Sequence, residues 1–253
     1  MITNENDVDN EVERINSAIH IHVYYPELLG EILDRIKINR ANPDIYISYC
    51  KKIHKDEIIE KILQYRLNIK EVVRGPNKGR DIGPFLCHFS KVFEEDYDIY
   101  GHVHTKKSIN IDAEQGTLWR KFLLDNLLGF NGVPMMDKII TDLYRYKNLG
   151  LVFPSDKTCV NWCNNYDIAS EIAQQIGITK LPRQIDFPIG TMFWAKKGAL
   201  TSLYQLNLQW EDYPEEPLSY DGTMLHALER LLPIIAEKEG FTIKTTHVDQ
   251  IAR

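Results

Sequence analysis

The chain lacks any apolar run of the about 18 residues that a membrane-spanning helix requires. Its first stretch, MITNENDVDNEVERIN, is polar and acidic rather than a basic and apolar leader. Both absences point to a cytoplasmic protein. Cysteine is scarce, four in 253 residues at Cys50, Cys87, Cys159 and Cys163, so a disulfide framework is excluded as the source of stability. Cys159 and Cys163 form a C-x3-C spacing with no second pair and no histidine at zinc-finger distance, which does not make a structural metal site. An excess of positive charge is missing too. Lys and Arg number 30 against 36 Asp and Glu, a net charge of −6. A general nucleic-acid binder is therefore excluded, and an anionic ligand must be met by local positive charge. What remains, 43% hydrophobic and 26% charged, is the composition of a folded globular chain long enough to bury a core.

Apolar periodicity divides the chain into alternating strands and helices. Residues 18–25 (AIHIHVYY) alternate as a strand, Leu28, Leu29, Ile32 and Ile36 follow at helical spacing, and Asn42-Pro43 breaks that helix before a second strand at 44–49. A helix over 55–65 leads to a third strand near 68–73. A helix from Pro84 to about Glu94 and a strand over 98–103 come next. From Gly116 the pattern becomes more helical (117–128, 133–144, 167–176, one from Lys197, and 221–239), with strands at 149–153, 191–195 and 241–246. No repeat or linker divides it. The expectation is a flexible arm over 1–15 and one α/β domain over 16–253, a mainly parallel sheet flanked by helices.

Ligands of parallel α/β sheets bind outside the carboxyl ends of the strands. Tyr24-Tyr25, the loop 74–81, the run 104–107 and the region before Asp221 all fall on that edge. The loop RGPNKGRDIGP (74–84) brings three glycines and three basic residues to the start of a helix. Its glycines let backbone approach a phosphate, the helix start offers unpaired N–H groups, and Arg80 supplies a forked cation. It fits neither G-x-G-x-x-G nor the P-loop pattern. The same residues also fit a plain turn in which Asp81 pairs with Arg80 or caps the helix.

His102 and His104 share one side of their strand, and two imidazoles at i, i+2 can share a metal, though no third ligand is identifiable. Lys106 and Lys107 at the strand's end fit the charge that a diphosphate leaving group needs, or a solvated surface pair. His20 and His22 read as hydrogen-bonded interior histidines. Tyr24 and Tyr25 fit stacking on a planar base, and Trp119, Trp162, Trp194 and Trp210 fit either core or sugar platforms. Asp221, before Gly222-Thr223, reads equally as an N-cap and as a general base; Glu211 and Asp212 of WEDYPEE are the competing carboxylates.

Six segments taken together, HIHVYYPEL (20–28), GPNKGRDIGPFL (75–86), YDIYGHVHTKKS (97–108), WRKFLLDNLLG (119–129), GTMFWAKKGAL (190–200) and DGTMLHALERLL (221–232), resemble the rhamnan synthesis protein F family over about residues 18–240. The resemblance implies a bacterial glycosyltransferase of surface polysaccharide synthesis, with a nucleotide-activated donor such as dTDP-L-rhamnose and a glycan or lipid-linked glycan as acceptor. The order of elements looks like a GT-A glycosyltransferase. Where such enzymes carry the metal-binding D-x-D motif this chain reads H-V-H-T-K-K, so no cofactor is expected, neither Mg²⁺ nor Mn²⁺ being called for by a D-x-D. By the same analogy Asp221 is the catalytic base of an inverting transfer. Tyr24, Asn77, Gly79, Arg80, Asp81, His104, Lys106 and Lys107 hold the donor, and Gly190, Thr191, Trp194, Glu211 and Asp212 line the acceptor side. A lipid-linked acceptor would place the protein at the inner face of the plasma membrane, peripherally attached. Two rivals remain: a noncatalytic nucleotide-sugar or glycan-binding subunit of an assembly complex, and a metal hydrolase built on His102, His104 and His247.

Overall fold

The computed structural model describes residues 11–107, 112–156 and 161–247. A seven-stranded sheet runs in the order β3-β2-β1-β4-β6-β5-β7. Its strands are β1 (Ser17–Val23), β2 (Asp44–Tyr49), β3 (Ile69–Arg74), β4 (Ile99–His104), β5 (Leu149–Pro154), β6 (Phe193–Lys196) and β7 (Thr242–Thr246). The pairs β1/β2, β1/β4, β2/β3 and β5/β7 are parallel, whereas β6 lies antiparallel to both β4 and β5. The sheet is thus mainly parallel, as the alternation of elements predicts, in the Rossmann-like manner of GT-A folds.

Helices cover both faces. On one lie α1 (Leu29–Lys37), α2 (Lys55–Leu63), α5 (Ala113–Leu127) and α6 (Met135–Arg145). On the other lie α3 (Ile82–Cys87), α4 (Ser90–Glu94), α7 (Tyr166–Gln175), α8 (Thr201–Gln205) and α9 (Met224–Lys238). Helix α1 shows why these residues make a helix and where it packs: Leu29, Ile32, Leu33 and Ile36 recur at helical spacing and all are buried. Burying each such side chain contributes about 1.5–3 kcal/mol. Basic Arg35 and Lys37 sit in its last turn, where they complement the helix dipole.

Three expectations change. The helix expected over residues 84–94 is two short helices, α3 and α4. Six-residue α3 is too short to gather a macrodipole for an anion. The last long helix starts at Met224 with Thr223 as its N-cap, the Thr223 Oγ1 accepting from the His226 N–H, so Asp221 does not cap that helix. In the stretch expected to be an arm, residues 1–10 lie outside the described residues, while Val12 and Ile15 are buried in the core beneath α1 and α6.

Period two along the central strands decides which face the polar residues occupy. In β1, Ile19, Ile21 and Val23 point to the α1 side, and Ala18 to the α9 side. His20 and His22 therefore share the α9 side with Ala18. In β4 the same parity puts Ile99 and Val103 under α5 and α6, and Tyr100, His102 and His104 on the α9 side. The sheet reverses its winding direction between β1 and β4, so the crevice above their carboxyl ends is its topological switch point.

Candidate functional site

The crevice is laced shut at its base by one hydroxyl. Thr105, just beyond β4, accepts through Oγ1 from the N–H groups of both Tyr24 and Tyr25, each at 2.9 Å. Beneath it a buried imidazole network spans three strands. Ser48 Oγ of β2 lies 2.8 Å from His20 Nε2 and 2.9 Å from His22 Nδ1, and the Nδ1 atoms of His20 and His102 are 3.0 Å apart. This is the interior role the sequence predicts for His20 and His22. Burial lowers both, His22 to about 3, so these rings are neutral at pH 7.

Asp81 hangs over this network. Its Oδ2 is 3.6 Å from His102 Nε2 and 3.9 Å from His104 Nε2, and that oxygen is buried with no hydrogen-bond partner. Burial by itself raises the carboxyl, but His104, His102 and Lys106 outweigh it and hold Asp81 below the ordinary range. Burial in turn lowers His104, and Lys106 adds its positive charge on the same side of Asp81.

The turn that delivers Asp81 is strained. Gly79 and Arg80 both have positive φ, +70° and +48°, and only the first is a glycine. A Cβ on Gly79 would lie 2.7 Å from the Gly83 backbone, so no other residue fits. The loop WEDYPEE clamps the turn from outside. Tyr213 packs on Gly79 and Trp210 on Gly83, Lys78 pairs with Glu215 at 2.8 Å, and Arg80 Nε lies 3.5 Å from Glu216. The price of an unfavourable Arg80 backbone is the orientation it gives: guanidinium toward 216–219, carboxylate of Asp81 toward the histidines.

A second strained turn faces the first. Gly190 (φ +83°) and Thr191 (φ +55°) are consecutive left-handed residues, and Thr191 is β-branched, for which this conformation is costly. The Gly190 carbonyl is 2.7 Å from His104 Nε2, and its N–H donates to Glu229 Oε1 at 2.7 Å. Glu229 is buried and its carboxyl is raised by that burial, against the opposing charges of Arg230 and Lys106. The aliphatic part of Lys106 runs beside Gly190, and its ammonium lies over the Trp119 ring, 4.4 Å from the centroid.

Asp221 stands at the rim. Its Oδ1 accepts from Asn165 Nδ2 at 2.7 Å and its Oδ2 from the Asn164 N–H at 3.1 Å. Burial raises this carboxyl, and the two asparagines, the Gly222 N–H and Arg230 bring it below its ordinary value, so it is ionised at neutral pH. Nearby His226 bonds Thr223 Oγ1 through Nδ1 at 2.8 Å. Burial and the charges of Arg80 and Arg230 lower its pKa, leaving a neutral imidazole.

The structure therefore brings together Asp81, His104, Lys106, Gly190 and Thr191, with Arg80 and Asp221 at the rim. It sets four predicted residues apart. Lys107 turns away to an ion pair with Glu27 and lies over the Tyr25 ring, 4.7 Å from its centroid, so the two adjacent lysines do not act as one charge. Trp194 is fully buried on the opposite face of the sheet, its Nε1 donating to the Leu127 carbonyl at 3.1 Å, so it lines no acceptor. Asp212 closes a capping box with Gln209, and Glu211 is an exposed residue of the same turn. Tyr24 faces the crevice partly buried, beneath Lys51 at 4.4 Å, and Asn77 is exposed on the 74–81 loop. His226, Glu229 and Arg230 went unnoticed in the sequence. Their i, i+3, i+4 spacing was the signal, since it puts all three on one helix side. Cys159 lies outside the described residues. Among the described residues no three His, Cys, Asp or Glu side chains gather as metal ligands do, and no helix is long and apolar enough to cross a membrane.

A family model described as rhamnan synthesis protein F matches residues 1–241. The chain is also similar to two proteins of Xanthomonas campestris pv. campestris, from strains B100 and ATCC 33913, each bearing the name "Uncharacterized protein WxcX". Identity is 29% over 247 residues in both, covering 96% of this chain and 34% of the relative. The chain spans about a third of the length of the curated relatives it matches.

Proposed function

The chain belongs to the rhamnan synthesis protein F family, and from that premise we propose that it transfers a sugar onto a growing bacterial surface polysaccharide. The donor is a nucleotide sugar, dTDP-L-rhamnose by the family's name, and the acceptor is a glycan or lipid-linked glycan met at the inner face of the plasma membrane. The observation that supports this reading best is the meeting of two strained turns, 79–81 and 190–191, over the β1/β4 switch point, with a lysine between them and an ionised aspartate at the rim.

In the proposed inverting reaction Asp221 takes the proton of an acceptor hydroxyl while that oxygen attacks the anomeric carbon. The new C–O bond forms as the bond from the anomeric carbon to the diphosphate breaks, and the electron pair leaves with the nucleoside diphosphate. Lys106 and Arg80 stabilise the charge that grows on the leaving group, the role a divalent ion has elsewhere. Asp81, ionised, adds a carboxylate beside His102 and His104 at the floor of the donor side. Replacement of Asp221 by Asn should abolish turnover while dTDP-sugar binding, read by thermal shift, persists; turnover that survives the change defeats the assignment. Activity unaffected by EDTA is the second expected result, and its loss with restoration by Mg²⁺ or Mn²⁺ would assign the leaving-group charge to a metal.

One observation favours a noncatalytic binding module instead: both Asp221 oxygens are already engaged by Asn164 and Asn165. Such a module would bind donor or glycan with no transfer product.

A further inference from the structure

Three histidines, one serine and one carboxylate form an unbranched line through the sheet. His22 Nδ1 lies 2.9 Å from Ser48 Oγ, Ser48 Oγ lies 2.8 Å from His20 Nε2, and His20 Nδ1 lies 3.0 Å from His102 Nδ1. The other nitrogen of His102, Nε2, faces Asp81 Oδ2 at 3.6 Å. The line crosses β1, β2 and β4, and none of its histidines nor Ser48 is more than 5% exposed. Aromatic carbon covers it: the Phe85 ring centroid is 4.5 Å from that of His102, and the Phe89 centroid 5.4 Å from that of His20.

Counting donors and acceptors leaves such a line two directions. A neutral imidazole has one N–H and one lone pair, and Ser48 has one proton to give. The contact between His20 and His102 needs a proton on just one of the two Nδ1 atoms, and that choice fixes all the others. In the first direction His102 carries its proton on Nε2, His20 Nδ1–H donates to His102, the Ser48 hydroxyl donates to His20 Nε2, and His22 Nδ1–H donates to Ser48. In the second every link is reversed, with His102 protonated on Nδ1 and both His20 and His22 on Nε2. Each direction makes the same three hydrogen bonds, so bonding within the line does not decide between them.

The carboxylate at its end does. Asp81 is ionised. The first direction turns an N–H of His102 toward Oδ2, and the second turns a lone pair toward it. A separation of 3.6 Å is too long for a hydrogen bond, yet attraction or repulsion by an anion remains strong at that distance in a water-poor interior. A second N–H already points to the same place. His104 Nε2, 3.9 Å from Oδ2, must be protonated because it meets the Gly190 carbonyl, which can only accept, at 2.7 Å.

We propose that the charge of Asp81 sets the direction of this line, and that Ser48 is the positioning residue that carries the choice across to His22. The protons of His20 and His22 then sit on Nδ1, the minor site in free neutral histidine, and those of His102 and His104 on Nε2. The line is a two-state element. Neutralising Asp81 releases it to reverse, and His22 Nε2 changes from an acceptor to a donor. None of this depends on the reaction performed, so its failure leaves the sugar-transfer reading untouched.

The test uses the full chain with isotope-labelled histidine and long-range proton–nitrogen NMR at pH 7.5, which separates a ring nitrogen bearing a proton from one bearing a lone pair. The unaltered protein should show the pattern just given. Asp81→Asn should move the His20 and His22 protons from mostly Nδ1 to mostly Nε2. Ser48→Ala should release His22 alone to Nε2, and Ser48→Thr, which keeps the hydroxyl, should restore Nδ1. Nε2 protons on His20 and His22 of the unaltered protein overturn the proposal, as does a second proton on His102. A His22 ring indifferent to Asp81→Asn, in a variant whose amide spectrum is otherwise native, overturns it equally. Should Asp81→Asn fail to fold, the unaltered pattern and the two Ser48 variants decide, and a His22 proton that stays on Nδ1 in Ser48→Ala removes the role of Ser48.

Discussion

The two sides of β1 are one strand with two occupations. Toward α1 it presents Ile19, Ile21 and Val23, all fully buried among aliphatic side chains. Toward α9 it presents His20 and His22, just as deeply buried but tied to Ser48 and His102. The apolar side needs only volume. The imidazole side must also place its ring nitrogens, because a buried polar atom without a partner costs about 1–3 kcal/mol, and His102 Nε2 beside Asp81 is left without one. Both sides of the sheet bury a hydrophobic core, and at β1 only the α9 side adds the means of holding Asp81 and Gly190.

That division can be broken or sharpened by three measurements. Ile21→Ala, on the apolar side, should cost about 2–5 kcal/mol in urea unfolding while the folded fraction keeps its affinity for dTDP; selective loss of dTDP binding at unchanged stability would erase the distinction. Lys106→Met should lower kcat/KM about 100-fold, roughly 2.7 kcal/mol of transition-state stabilisation, with little change in stability. Lys107→Met, which removes the Glu27 pair and the cation over Tyr25, should change it less than about threefold, since exposed pairs contribute about 0–1 kcal/mol. Equal losses in the two variants would return both lysines to one shared role.

The imidazole side also predicts a dependence on acidity. His22 is lowered by burial to about 3 in the folded protein, against about 6.5 in the unfolded chain. Above pH 6.5 neither state holds the proton and the group has no effect. As pH falls from 6.5 toward 3 the unfolded chain alone binds it, so stability falls by about 1.4 kcal/mol per pH unit for this one ring. Melting temperatures between pH 7.5 and 4.5 should drop accordingly, and His22→Gln, which can still bond Ser48, should flatten the slope. An unchanged slope would mean that His22 is not where acid acts.

The alternation of apolar runs made the strands and most of the helices readable, because burial on a sheet face or a helix stripe imposes a period that composition cannot hide. It also made the carboxyl edge readable, and with it Asp81, His104 and Lys106. The same periodicity would have separated Trp194 from Thr191, whereas Gly190 has the parity of Trp194 and is set apart only by the left-handed turn that precedes the strand. Adjacent Lys106 and Lys107 were indistinguishable in sequence; only Trp119 and Gly190 beside the first, and Glu27 and Tyr25 beside the second, give them different directions.

What the sequence determined by itself was the class of fold, the family and the edge of the sheet where ligands meet it, since these follow from local period and from motifs in order. The tertiary structure alone decided that Asp221 is held by Asn164 and Asn165 rather than capping a helix, that WEDYPEE clamps the Arg80 turn, and that Glu229 fixes Gly190. Those are contacts between segments tens of residues apart. Each depends on how loops close over a finished sheet, and no local period encodes that closure.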